Sequence, residues 1–86
     1  MLTIDNEKHI RPEVTIYPNP ATDIVNVKSG MPINSVTVYN YAGQLIVNED
    51  VNAMIYHLNT SQYLPGIYFF RIETGEGSIS KRIIIQ

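Results

Sequence analysis

Apolar and polar residues alternate along this chain with a period of two, in runs broken about every ten residues by Pro, Gly, Asn or Asp. Val25 and Val27 share one phase against Asn26 and Lys28, and Val36 and Val38 share one against Ser35, Thr37 and Tyr39. Further on, Tyr68, Phe70 and Ile72 share a phase against Ile67, Phe69 and Arg71. These are half-buried strands whose valines, Phe70 and Ile72 should face a core, with Tyr68 at its rim. No stretch carries the period of a long helix.

Seven strands are expected, over residues 13–17, 23–28, 35–40, 44–49, 54–58, 66–74 and 78–85. The fold class that follows is all-β, an antiparallel β-sandwich. Tyr41-Ala42-Gly43 and Gly75-Glu76-Gly77 are expected to close hairpins, because glycine takes positive φ without strain. The connection from Asn59 to Pro65 has room for a helical turn. In the last strand Ile79, Lys81, Ile83 and Ile85 fall on one phase and Ser80, Arg82, Ile84 and Gln86 on the other. Three successive isoleucines cannot all enter one small core, so this strand is expected to offer an apolar edge or face and to make a weak homodimeric contact.

At 86 residues there is room for one domain, which buries roughly 60–65% of the unfolded chain's surface. Residues 1–12 are polar and aperiodic, the pattern of a linker or disordered tail, so the domain is placed at residues 13–86. A net charge of −2, with no run of either sign, argues against a nucleic-acid partner. The chain opens on Met1-Leu2-Thr3-Ile4-Asp5, with neither the basic start nor the apolar stretch of a signal peptide, and no segment reads as inserting into a membrane. Either the protein is cytoplasmic or, as the favoured reading, this is the end of a longer exported precursor with its N-terminal passenger missing, in which case Met1 is not a native residue. With no cysteine there is no disulfide framework, which leaves the redox compartment open.

Candidate chemistry is thin. His9 and His57 lie far apart with no cysteine or second histidine at ligand spacing, so no metal and no cofactor is expected. Ser61 and Ser80 have no nucleophile-elbow context, so no catalytic residue is assigned and the chain is not read as an enzyme. The glycines precede no helix that could hold a phosphate. Both prolines of Pro18-Asn19-Pro20 fix φ, and the Asp23 carboxylate is expected to accept backbone N–H bonds that close the bend. Tyr39, Tyr41 and Phe69 could form an exposed aromatic patch, which supports an alternative function: an immunoglobulin- or fibronectin-like module that binds a glycan or a protein.

In order and spacing, Tyr17-Pro18-Asn19-Pro20-Ala21-Thr22-Asp23, Val38-Tyr39-Asn40-Tyr41-Ala42-Gly43-Gln44, Gly66-Ile67-Tyr68-Phe69 and Lys81-Arg82-Ile83-Ile84-Ile85-Gln86 resemble one family. It is the C-terminal sorting domain of type IX (Por) secretion system cargo, and the resemblance runs from Tyr17 to Gln86. It implies an immunoglobulin-like sandwich. It also implies a signal that takes a cargo from the periplasm through the outer-membrane translocon to the cell surface or medium, where a sortase often removes the domain. Matching the family's motifs are Pro18, Asn19, Pro20, Ala21 and Asp23; Gly43 and Gln44; Gly66 and Tyr68; and Lys81, Arg82, Ile83, Ile84, Ile85 and Gln86. The chain departs from the pattern where His57 replaces an acid, and where Arg82 replaces an aliphatic residue after the lysine. The partners implied are translocon and sortase proteins. Nothing in the sequence identifies the passenger, the sortase cleavage position or the translocon component that reads the signal.

Overall fold

A computed structural model describes residues 13–86. The expected linker at residues 1–12, and His9 within it, lie outside the described residues. In chain order the strands are β1 (Val14–Tyr17), β2 (Ile24–Asn40), β3 (Leu45–Asn59), β4 (Gly66–Thr74) and β5 (Gly77–Ile85). All neighbouring strands pair antiparallel in one sheet, in the order β1-β2-β4-β5, with β3 also on β2.

The strand count is five and not the seven expected, because two expected pairs of strands are each continuous. β2 joins the runs expected at 23–28 and 35–40, and β3 joins those at 44–49 and 54–58. Gly30 and Pro32 lie between the two expected runs of β2. The backbone stays extended there and changes partner. The Gly30 N–H donates to Glu13 O at 3.1 Å at the end of the β1 pairing, and β2 takes up β4 from Ile33 onward. The ladder is irregular between Lys28 and Ser35, where a residue without an N–H and one without a side chain are both tolerated.

That irregularity also resets which phase faces inward. Val25, Val27 and Ile33 are buried on odd positions, Val36 and Val38 on even ones. The shift between Ile33 and Ser35 inserts the residue that makes the change. β3 makes a matching change around Asn52, which takes φ 53° in the left-handed region where asparagine is tolerated. β2 and β3 therefore bend together, and both halves of the sheet turn their apolar sides to one core.

Val25, Val27, Val36, Val38, Phe70 and Ile72 are fully buried, as the alternation predicted, and Tyr68 sits at the rim with its hydroxyl donating to Leu64 O at 2.7 Å. Ile33, in a stretch read as loop, is an equal member of the core. In β5, Ile83 and Ile85 point inward and Ile84 is 40% exposed, while Lys81, on the inward phase, reaches solvent. After β3 the chain makes a turn with Tyr63 N–H on Thr60 O at 3.0 Å, and no helix forms there. Thr60 is buried and holds this turn to the chain ahead of β2, its Oγ1 donating to Thr22 O at 3.0 Å and its N–H to Asp23 O at 2.8 Å. Thus Asp23 contributes its backbone carbonyl to the bend, and not the carboxylate as expected.

Both glycine hairpins form. Asn40 organises the first: its Oδ1 accepts from Ala42 N–H at 3.0 Å and Gln44 N–H at 2.9 Å, with Gly43 at φ 86°. Gly75 and Glu76 form the second turn, between Thr74 and its register partner Gly77.

The phase of β5 predicts a graded isoleucine-to-valine series. Ile83→Val and Ile85→Val should each cost about 1 kcal/mol, as in a packed core, and Ile84→Val less than about 0.5 kcal/mol. Urea denaturation of the three variants checks this; equal costs would show that the inward and outward phases are misassigned.

Candidate functional site

The sequence motifs meet on the terminal strand. Leaving β1, the chain turns through Pro18, Asn19 and Pro20, all exposed, with cis bonds preceding both prolines. It then lays residues 19–21 along the outer edge of β5. The Asn19 side chain acts there as a substitute peptide group. Its Nδ2 donates to Arg82 O at 3.3 Å, and its Oδ1 accepts the Ile84 N–H at 3.0 Å. An amide carries the same donor and acceptor as a peptide unit, so asparagine can continue a ladder where the neighbouring prolines have no N–H to give.

Ala21 carries the ladder on. It forms a parallel bridge with Ile85, its N–H donating to Ile84 O at 2.8 Å and its carbonyl accepting the Gln86 N–H at 2.8 Å. Ala21 is fully buried in the same core as Ile83 and Ile85, so a larger side chain would be overpacked. The outer edge of β5 from the Arg82 carbonyl to Gln86, expected to be open to a partner, is closed within the chain by this clasp.

Four more motif residues, Gly66, Tyr68, Gly43 and Gln44, lie at the same end of the sheet. Gly66 pairs with Ile85 and Tyr68 with Ile83, and Asn40 in turn pairs with Tyr68. Gly43 and Gln44 belong to the hairpin beyond Asn40, whose side-chain amide donates to Gln44 Oε1 at 2.8 Å. Between this hairpin and the Leu64-Pro65 approach to β4 lies a groove of about 290 Å³, flanked by the exposed Tyr41 and Leu64. Lys81 stands apart, opposite Phe70 in the middle of the β4–β5 ladder and exposed. The exposed Asp23 side chain is outside the cluster too, its carbonyl serving Thr60.

Away from this end, His57 is exposed and its Nδ1 lies 2.6 Å from Asn26 Oδ1 across the β2–β3 ladder. The Tyr56 hydroxyl donates to the Glu49 carboxylate; burial first, then that carboxylate, pushes its pKa well above the ordinary phenol range. Burial, with Tyr68 and Glu49 adding smaller effects, raises Tyr63 as well. Neither tyrosine belongs to the motif cluster. The sequence missed the Asn19 side chain as a strand partner, and the available signal was an amide between two residues that cannot donate.

Asn19→Ala removes both side-chain bonds while leaving the Ala21 bridge. Because the freed groups are solvent-accessible, the cost should be about 1 kcal/mol. Hydrogen exchange checks it: the Ile84 amide should exchange several-fold faster with the Ile83 amide little changed, and unaltered Ile84 exchange would rule out the clasp.

The sorting-domain resemblance drawn from these motifs is matched by comparison with known proteins. The family model described as "Secretion system C-terminal sorting domain" matches residues 15–86. No curated protein matches the chain. Among solved structures, PorZ of Porphyromonas gingivalis, described as an essential bacterial surface component of the type-IX secretion system, shares the fold at TM-score 0.71 and 19% identity. That similarity covers 85% of this chain and 11% of PorZ, so the chain corresponds to a small part of that protein. With the family model spanning β1 to β5, the clasp and every motif residue, the chain belongs to the secretion-system C-terminal sorting domains, the signals of type IX secretion.

Proposed function

We propose that this domain is the export signal of a passenger that reaches the periplasm, is passed through the outer-membrane translocon, and is freed from the domain by a sortase at the cell surface. Membership of the sorting family supports this reading, and the chain itself performs no catalysis in it. The observation that carries it furthest is the clasp. By holding Asn19 and Ala21 on Arg82, Ile84 and Gln86, it brings the first and last motifs together beside Gly66 and Tyr68. The translocon then reads one end of a folded domain and the strand that leads to it: Pro18 to Ala21, the hairpin of Gly43 and Gln44, the start of β4, and Lys81 to Gln86. We read the two halves of the bent sheet, which share one core, as the layers of an immunoglobulin-like sandwich.

Within this reading the roles differ by burial. Ala21, Ile83 and Ile85 support the shape of the signal from inside. Ile84, Arg82 and Lys81 face solvent and are available to a receptor. Asp23 contributes through its backbone.

A fluorescent reporter with a signal peptide, fused ahead of this domain in a bacterium that has type IX secretion, tests the proposal. The intact fusion should reach the surface or medium. Lys81→Ala changes stability by less than about 0.5 kcal/mol as a surface substitution, and should reduce export without reducing the reporter's level. Retention of the intact fusion in the periplasm, while a resident cargo is exported from the same cells, would refute the sorting role. Undiminished export of Lys81→Ala would remove the lysine from the signal and leave that role standing.

A further inference from the structure

The outer edge of β5 is closed only in part. Backbone groups that face away from β4 belong to Arg82, Ile84 and Gln86, as their bonds to Asn19 and Ala21 show. The β4–β5 register runs unshifted from Gly77 to Ile85, so by alternation the N–H and C=O of Ser78 and Ser80 face outward too. The Arg82 N–H has the same direction, and the clasp uses only the Arg82 carbonyl. Among the described residues no strand other than β4 pairs with β5 along residues 78–81, so this edge carries no partner. Such a row of unpaired groups is a template for another strand.

We propose that this stretch pairs antiparallel with the same stretch of a second copy of the chain, about a twofold axis at Ser80. The proposal goes beyond the sorting role and does not rest on it. The register is self-complementary. Ser80 lies opposite Ser80 of the second copy and exchanges both backbone bonds with it. Ser78 lies opposite Arg82 of the second copy, whose N–H donates to the Ser78 carbonyl, giving about four bonds by symmetry.

Charge complementarity selects this partner. β4 places Glu73 beside Ser78 and Phe69 beside Arg82 on the outer face. Across the seam the row therefore reads Phe69, Arg82, then Ser78 and Glu73 of the second copy, and the same row recurs on the other side of the axis. Serine is too short to keep the Arg82 guanidinium from the Glu73 carboxylate. That carboxylate is already held in place, accepting from Ser35 Oγ at 3.0 Å and from Arg71 Nη2 at 3.4 Å. On the other face Lys81 lies opposite Ile79 of the second copy, so its aliphatic stem covers a half-buried isoleucine while the ammonium stays in water. The clasp at one end and the Gly75-Glu76 turn at the other limit the pairing to residues 78–82, an area that suits a weak, reversible dimer.

The test is sedimentation equilibrium from about 10 µM to about 1 mM, the range in which an interface of this size associates. The wild-type chain should self-associate. Arg82→Glu and Glu73→Arg each place like charges across the seam twice, and each should weaken association by about tenfold or more. Mixed in equal amounts, the two variants face each other with opposite charges at both positions, and the mixture should recover wild-type association as heterodimers. Ser80→Pro removes an N–H that faces away from β4, so it should abolish association while the circular dichroism of the monomer is retained. A wild-type chain that stays monomeric throughout, a mixture no tighter than either variant alone, or full association of a folded Ser80→Pro protein would each overturn the proposal. The last outcome would point to packing through the exposed Phe69 and Ile84 face.

Discussion

The central constraint is that β2 must have hydrogen-bonding partners on both sides through a bend. It pairs with β1 and β3 in its first half and with β4 and β3 in its second, and only β5 among the strands has no place beside it. Five of the fully buried side chains, Val25, Val27, Ile33, Val36 and Val38, come from this one strand. A regular strand of 17 residues would keep one phase throughout, and bending it would turn half of that apolar set toward water. The register shift at residues 33–35 removes the conflict by changing phase where the partner changes. Gly30, Pro32 and Asn52 fall at or near the same level, where the backbone is least regular.

Local periodicity therefore read well wherever a strand keeps one phase throughout. β4 has the expected bounds and the expected inward phase, and β5 starts one residue early. Where the phase changes midway, as in β2 and β3, the same signals misled. Gly30 and Pro32 mark departures from a regular ladder, and a departure looks alike whether the strand stops or continues with another partner. Asn19 was legible as part of a turn, but its bonding partners lie 63 and 65 residues further along the chain, and no local pattern encodes that separation. The family motifs had already grouped Asn19 with the terminal residues; the geometry supplies the physical reason.

Within this cluster, support and display occupy adjacent atoms. Ile83 and Ile85 face the core, while Ile84 between them is exposed and its backbone carries two of the clasp bonds. A substitution in the terminal segment thus acts either on packing or on the surface, according to its parity. Ala21 and Asn19 divide in the same way, the first through a buried methyl and the second through a solvent-exposed amide. Loss of sorting in a variant is informative only alongside its stability.

The clasp also sets the order in which the chain can mature. Residues 82–86 are synthesised after every other strand, yet they supply the edge on which Asn19 and Ala21, among the earliest described residues, come to rest. Contacts of such long sequence separation form late and slowly, because the loop must close before any bond rewards it. Translation at about 5–20 residues per second leaves the first segment waiting for seconds without its partner. A chain cut short before Arg82 can still pair β1 with β2 but cannot seat Asn19 or Ala21. The finished contact is thus a molecular record that translation reached the end of the domain.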